Sequence, residues 1–300
     1  MRLVIAGTVR RYDVVVLLDP DLAIAAGAVR RLLGLVVADV HEDYHQVVVD
    51  RVWARGRAGG PARVAGRMLS RVASEAAGRA DVTVVADEHL PPAMARRRLV
   101  VRNRPGRMEL PRSTDREESP RAVYIGDVRP SRGLITMVQA VLASPPWQLD
   151  IVGPISASDR AWVAQQLAGS VRVRVHGRLD LQRSWELALG AWTGLALLDD
   201  TPAFHAAMPT KLYEYMACGL PVLGSPLPRI AALIETSGAG RTATGPHEVA
   251  AVLRKWHENP NLVDAHARAA QRWATANLAV TNPFEEAAAT VLDILRGRLQ

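Results

Sequence analysis

A lysine and a glutamate three residues apart, Lys211 and Glu214, stand in the run Pro209-Thr210-Lys211-Leu212-Tyr213-Glu214-Tyr215-Met216-Ala217-Cys218-Gly219-Leu220-Pro221-Val222. In a helix opening at Pro209 the two side chains share a face, about 60° apart. Proline at the first helical position gives up a backbone donor that has no partner there anyway. The remaining free N–H groups and the positive end of the helix dipole favour an anion, by about 0.3–1 kcal/mol. Lys211 would set a full positive charge beside it. The Glu214 carboxylate, an acceptor only, can take both hydroxyl protons of a vicinal diol such as a ribose 2′,3′-pair. One short helix could thus hold a diphosphate at its tip and a ribose one turn down, with Gly219 ending it and Pro221 preventing its continuation. Alone, an i,i+3 Lys–Glu pair is an ordinary surface contact worth a few tenths of a kcal/mol. Against that bland reading, the chain writes its cations almost entirely as Arg, and lysine occurs only at 211 and 255.

A second segment points the same way. Tyr124-Ile125-Gly126-Asp127-Val128-Arg129-Pro130-Ser131-Arg132-Gly133-Leu134 reads as a strand, a glycine turn and a helix start. Gly126 lets the backbone approach a ligand, and Arg132 carries a guanidinium fork suited to phosphate. By itself this is an ordinary βα turn. Asp150-Ile151-Val152-Gly153 and Val175-His176-Gly177-Arg178 are further strand ends closed by glycine.

These residues need a scaffold that brings strand ends and helix starts together. Short Val-rich runs alternate with helical stretches, the pattern of a parallel sheet covered on both faces. Strands are expected at Leu3–Ala6, Val14–Leu18, Leu35–Val40, Val82–Ala86 and Leu99–Arg102, with helices over Leu22–Leu33 and through a long region to Arg79, broken at Gly59-Gly60-Pro61. Residues 105–121 are proline-rich and charged, which is linker composition. Beyond them strands are expected at Ala122–Ile125, Leu149–Val152, Val171–His176, Gly194–Leu198 and Pro221–Gly224. Helices are expected at Arg132–Ala143, Asp159–Leu167, Leu181–Leu189, from Pro209, and near His247–Glu258 and Leu262–Asn277. A last helix starts with Asn282 as N-cap and Pro283 at its first position. The expected organisation is an N-terminal domain over 1–104, a linker over 105–121, a second domain over 122–281 and a C-terminal helix over 282–300.

The sequence PTKLYEYMACGLPV resembles the signature of family 4 glycosyltransferases of GT-B architecture, in the subtype Pro-x-Lys-x-x-Glu-Tyr-Met-Ala. The resemblance implies an α/β fold of two Rossmann-like, doubly wound parallel-sheet domains. It implies retaining, metal-independent transfer of a sugar from a nucleoside-diphosphate donor to a hydroxyl acceptor, with no cofactor. On it, Arg132 matches a diphosphate-binding lysine, and Arg129 stands in for an arginine whose place is taken by Asp127. Lys211, Gly126, Pro209 and Thr210 complete the diphosphate site, Glu214 grips the ribose, and Gly177 and Arg178 lie toward the nucleobase. Many members carry a second Glu eight positions before Glu214, where this chain has Ala206. In the first half, Val36-Val37-Ala38-Asp39-Val40-His41-Glu42-Asp43 resembles the acceptor side, with His41 as the catalytic contact to the transferred sugar; Glu42 and Asp43 read as acceptor contacts or as a helix-start acidic pair. The N-terminal domain reads as incomplete, short by about 70 residues against a typical half.

The bulk numbers exclude other classes. One cysteine, Cys218, excludes an internal disulfide framework. No apolar run approaches the roughly 20 residues of a membrane span, and the start lacks a signal-peptide pattern, so a cytoplasmic protein is expected. The net charge of +7 comes from Arg spread along the chain, with aromatics at only 5%. Base-stacking platforms are therefore not expected, and nucleic acid is not a partner. The charge fits attraction of anionic substrates or peripheral contact with anionic lipid heads. Asp19-Pro20-Asp21 spells a metal motif of a different architecture, and Asp199-Asp200 and His205 read as loop residues; no metal site is expected. The expected partners are a nucleotide-sugar donor, a small-molecule, lipid-linked or saccharide acceptor, and a partner chain completing the N-terminal half. The rival readings are a degenerate, non-catalytic nucleotide-binding partner of another glycosyltransferase and a GT-B-like epimerase.

Overall fold

A computed structural model describes residues 12–41, 43, 59–102, 104–105, 110–111, 115–167, 169–278 and 283–299. The expected strand at Leu3–Ala6, the residue Glu42 and the N-cap Asn282 lie outside the described residues. The chain divides into two compact units, Met1–Asn103 with Asn282–Gln300, and Arg104–Thr281.

In the first unit, β1 (Val14–Leu17), α1 (Pro20–Ala28), β2 (Leu35–Val40), α2 (Gly59–Gly78), β3 (Val82–Val85) and β4 (Arg98–Val100) follow one another. All four strands are parallel, in the order β1-β2-β3-β4, so among the described residues this sheet runs one way without a reversal. Successive residues of β2 and β3 serve opposite faces, as the period of two requires. Val36, Ala38 and Val85 pack with Ala23, Ala26 and Ala77 of the two helices. Leu35, Val37, Val82 and Val84 form a second cluster, which Val291, Ile294 and Leu295 of the C-terminal helix (Pro283–Leu299) join. That last helix carries Glu285 and Glu286 in its first turn, where the dipole favours acid. The helical break expected at Gly59-Gly60-Pro61 is the start of α2.

The second unit holds a six-stranded sheet in the order β10-β9-β8-β5-β6-β7. Its strands are β5 (Arg121–Ile125), β6 (Gln148–Val152), β7 (Val173–Gly177), β8 (Thr193–Ala196), β9 (Val222–Gly224) and β10 (Gly240–Thr242), each pairing parallel to its neighbours. The helices are α3 (Leu134–Leu142), α4 (Ala157–Leu167), α5 (Leu181–Glu186), the single turn α6 (Pro202–His205), α7 (Thr210–Ala217), α8 (Pro228–Ser237), α9 (Gly245–Glu258) and α10 (Pro260–Asn277). From β5 the sheet grows outward through β6 and β7; the chain then returns to β8 on the other side of β5 and grows the opposite way. The reversal between β5 and β8 is the topological switch point where ligands of open α/β sheets bind.

Two hydrophobic clusters cover the two faces. Tyr124, Leu149, Ile151 and Leu195 pack with α3 and α9. Val123, Ala196 and Val222 pack with Trp185, Leu212, Tyr215, Ile230 and Ala270, from α5, α7, α8 and α10. The end of the proline-rich stretch is anchored here: Arg116 bonds Asp264 at 3.0 Å and lies over the Trp192 ring, and Glu117 pairs with Arg121 at 2.5 Å. Three elements go unmarked in the sequence reading, the single turn α6, α8 and β10. Arg132, expected inside a helix, sits in a 3-10 turn (Pro130–Arg132), and Gly133 in the left-handed region separates that turn from α3.

Candidate active site

The strand ends at the switch point converge on one lysine. Pro209 is the N-cap of α7 and not its first helical residue, as the sequence had suggested; its φ of −62° and extended ψ aim the chain into the helix, which starts at Thr210. In the first turn of α7 the Leu212 amide donates to the Pro209 carbonyl at 3.1 Å, while those of Thr210 and Lys211 have no intrahelical partner and remain available at this edge.

Lys211 leaves α7 on one face of the sheet and lays its ammonium on the ring of Tyr124, which belongs to the cluster on the other face; Nζ lies 3.6 Å from the ring centroid. The path runs past Gly126, the residue after β5. A β-carbon at Gly126 would stand 2.7 Å from Nζ, and the φ of 142° is one that other residues rarely adopt. Glycine is therefore required here twice, for space and for conformation.

The lysine is 6% exposed, and its Nζ has no hydrogen-bond partner among the described residues. Burial, with Arg132 nearby, brings its pKa from 10.5 to about 7; Glu214 and Asp127 oppose the shift without cancelling it. Holding this ammonium charged costs on the order of 5 kcal/mol. Arg132 Nε is likewise buried without a hydrogen bond, its nearest carboxylate oxygen being Asp127 Oδ2 at 3.9 Å. Two unsatisfied cationic donors at the same crevice are unusual for buried polar atoms, which are nearly always bonded. Their shared chemistry is that of an anion site.

Glu214 lies one turn along α7. Burial pushes its carboxyl up to about 7, with Lys211 pulling the other way. Among the described residues, neither a hydrogen bond nor an ion pair joins Lys211 to Glu214, so the surface-pair reading does not describe them. Arg129 is engaged differently: its guanidinium pairs with Asp127 and is 57% exposed. Thr210 stands half-buried at the helix start.

Two tyrosines fix this geometry, and sequence reasoning passed over both. The Tyr124 hydroxyl donates to the Asp127 carbonyl at 2.7 Å, holding the turn after β5. The Tyr215 hydroxyl accepts from the Ile125 amide at 2.9 Å, tying α7 to β5 across β8. That crossing depends on Gly194 of β8, where a β-carbon would stand 2.3 Å from the Tyr215 ring. Tyr124 alternates with Val123 on β5 and so faces opposite Val123; that period-of-two signal was available, but its partner on α7 was not.

The glycines after the strands link their ends. Gly126 N–H donates to the Val152 carbonyl at 2.9 Å, and Gly153 N–H to the Gly177 carbonyl at 2.8 Å. Gly177 therefore sits two strands from Gly126, about 10 Å at ordinary strand spacing. Arg178 follows it, exposed. Behind this edge Asp150 is buried and accepts from Arg121 (3.1 Å), Arg174 (2.8 Å) and His176 (2.7 Å). Burial raises the Asp150 carboxyl, but the bonds from Arg174 and His176 and the two guanidinium charges hold it below its ordinary value. The loop after β8 joins the crevice through a bond from the Asp199 amide to the Ser131 carbonyl (3.0 Å). In it His205 pairs with Asp200, and Arg229 of α8 donates to the Ala206 carbonyl at 2.7 Å.

In the first unit, His41 follows β2, half exposed, with Nε2 3.2 Å from Asp39 Oδ2. Asp39 borders a small cavity with Leu17, Asp19, Ser74 and Ala77, and burial raises its carboxyl while His41 lowers it.

Residues 119–259, within the second unit, match the family model described as glycosyl transferases group 1. The match contains every candidate donor-site residue from Gly126 to Glu214. No curated protein matches the chain. Among solved structures, the Anabaena protein HepE in complex with UDP-glucose is 15% identical over 97% of this chain and 81% of that one, with a TM-score of 0.73. Sucrose-phosphate synthase from Thermosynechococcus elongatus is 16% identical, over 98% and 75%, with a TM-score of 0.70. WaaG, a glycosyltransferase involved in lipopolysaccharide biosynthesis, is 17% identical, over 89% and 80%, with a TM-score of 0.63. These likenesses place the fold with the GT-B-like glycosyltransferases.

Proposed function

We propose that this chain is a glycosyltransferase of the GT-B type that moves a sugar from a nucleoside-diphosphate donor to a hydroxyl acceptor with retention. The observation that carries the reading is the buried, unbonded Lys211 ammonium at the switch point, inside the glycosyl transferases group 1 match. A donor diphosphate there would bond Lys211 Nζ, Arg132 Nε and the Thr210 and Lys211 amides of α7, with Gly126 giving its backbone room. Glu214 would take the ribose hydroxyls, and the base would extend toward Gly177 and Arg178. A uridine donor fits the neighbouring HepE, whose complex holds UDP-glucose.

In this reading the residues act by placement and by charge. Breaking the anomeric C–O bond leaves negative charge on the diphosphate, which Arg132, Lys211 and the α7 dipole neutralise without a divalent metal. The sugar acquires oxocarbenium-like character, and the acceptor oxygen attacks the face the diphosphate leaves, giving its proton to the departing phosphate oxygen. His41 would contact the transferred sugar from the acceptor side. The acceptor is a hydroxyl of a small molecule, a lipid-linked sugar or a saccharide.

One observation favours a second reading. Arg129, the stand-in for a diphosphate ligand, is already held by Asp127. A chain that binds nucleotide without turnover, as a partner of another transferase, is consistent with that pairing. The test is binding of labelled UDP and related nucleotides to the wild type, Lys211→Ala and Glu214→Ala. The proposal expects both substitutions to weaken binding at least ten-fold, about 1.4 kcal/mol each. Equal affinity in all three proteins sinks it. Binding with no sugar transfer to any acceptor supports the partner reading.

A further inference from the structure

Helix α2 presents large apolar side chains to water. Val64, Met68, Leu69 and Val72 are 58%, 67%, 61% and 51% exposed. Spaced at i, i+4, i+5 and i+8, they occupy one continuous sector of the helix. The opposite sector, built from the small residues Ser70, Ala73 and Ala77, is the buried one. The usual arrangement is thus inverted, with small side chains inward and large ones outward. Contiguous exposed apolar surface of this kind marks an interaction site.

One flank of the stripe is basic, and the acid Glu75 lies on the stripe's own face, three residues after Val72. Arg67 and Arg71, exposed and four residues apart, border it on one side. In the last turn Glu75 is paired with Arg79 at 3.6 Å. The loop before β4 abuts the end of α2, with the Arg96 amide donating to the Gly78 carbonyl at 3.2 Å. That loop, Pro91-Pro92-Ala93-Met94-Ala95-Arg96-Arg97, contains no acidic residue, exposes Arg96 and Arg97, and shows Met94 at 87% exposure.

We infer that α2 and the loop at its end dock the chain on an anionic lipid bilayer. The guanidinium groups would meet phosphate headgroups while Val64, Met68, Leu69 and Val72 enter the boundary with the acyl chains. Among the described residues no helix is long and apolar enough to cross a membrane, so α2 lies on the surface and does not span it. A second copy of this chain would bring Arg67 and Arg71 against their own kind, whereas an anionic surface complements them and the net charge of +7. The inference does not rest on the donor site, which uses none of these residues.

The experiment is sedimentation of the full chain with vesicles of phosphatidylcholine alone and of phosphatidylcholine with a third phosphatidylglycerol. Binding is expected only to the anionic vesicles and is expected to be lost in high salt. Arg67→Glu combined with Arg71→Glu lowers it by at least about 25-fold, roughly five-fold for each guanidinium removed. Met68→Ser with Leu69→Ser lowers it by at least about ten-fold. Both double variants change outward-facing side chains and should keep the wild-type melting temperature and UDP affinity. Wild-type chain that ignores anionic vesicles overturns the inference, as does binding to both vesicle types alike. A dimer that both double variants dissolve, with no vesicle binding, assigns the stripe to self-association and also overturns it. The salt and lipid series use the wild type alone, so their outcome stands whether or not the variants fold.

Discussion

The affinity of the site for UDP should fall as pH rises from about 7.5 to about 9, by up to roughly 30-fold, and Lys211 should be the cause. In the free protein burial holds the Lys211 pKa at about 7, so above neutrality the amine is mostly neutral. A diphosphate set beside it restores the charge, because the ammonium gains the partner it lacks. Binding above pH 7 therefore takes a proton from solvent, at a cost approaching 1.4 kcal/mol per pH unit. Glu214, with its carboxyl near 7, is already ionised through most of this window and adds little slope. The nucleotide's own phosphates, with a last pKa near 6, are ionised as well. The sign for stability is the reverse. The folded pKa lies below the unfolded one, so between about 7 and 10.5 the unfolded chain binds the extra proton. The free protein therefore gains stability from this group as pH rises through that window. Calorimetric titration of UDP near pH 8.5 in two buffers of different ionisation enthalpy should show uptake approaching one proton per nucleotide. Lys211→Met should bind weakly with no pH slope in this window. Flat wild-type affinity, or heats independent of the buffer, would refute the account of Lys211.

Gly126→Ala puts a methyl 2.7 Å from Lys211 Nζ on a backbone with φ of 142°; it should destabilise the fold by about 1–3 kcal/mol and weaken UDP binding, read by denaturant unfolding and titration. Asp150→Ala removes the buried carboxylate shared by Arg121, Arg174 and His176 and leaves Arg121 paired with Glu117 alone; urea unfolding should show a loss of about 1–3 kcal/mol. The Asp150 pKa lies below its unfolded value, so the stability this group adds is present above the ordinary carboxylate range and lost as pH falls through the folded pKa. Tyr215→Phe removes the acceptor for the Ile125 amide and should cost about 1–3 kcal/mol, with a lower melting temperature and weaker UDP binding.

The sheet of the second unit was legible because parallel strands buried on both faces read as apolar runs, and β5 through β9 fall within a few residues of their expected places. Helix α7 was legible through Pro209, Lys211 and Gly219. What escaped was of two kinds. Helix α8 carried a readable signal in Pro228 at its start, Gly238 at its end, and Ile230, Leu233 and Ile234 at helical spacing. Strand β10, three residues with a single buried position, and α6, a single turn, are too short for periodicity to register. Tyr124 and Gly194 escaped for a different reason. Their roles are contacts with α7, about 90 and 20 residues away along the chain, and local pattern carries no record of such pairs. The C-terminal helix is similar: its sequence announces a helix, but only the packing of Val291, Ile294 and Leu295 with Leu35 and Val37 assigns it to the first unit.

The central claim is donor use, and a panel of nucleoside-diphosphate sugars, read by released nucleotide with and without hydroxyl acceptors, tests it most directly. The account predicts release from one donor that an acceptor accelerates, abolished in Lys211→Ala and strongly reduced in Glu214→Ala. No binding and no release from any donor, or release unchanged in Lys211→Ala, would contradict it.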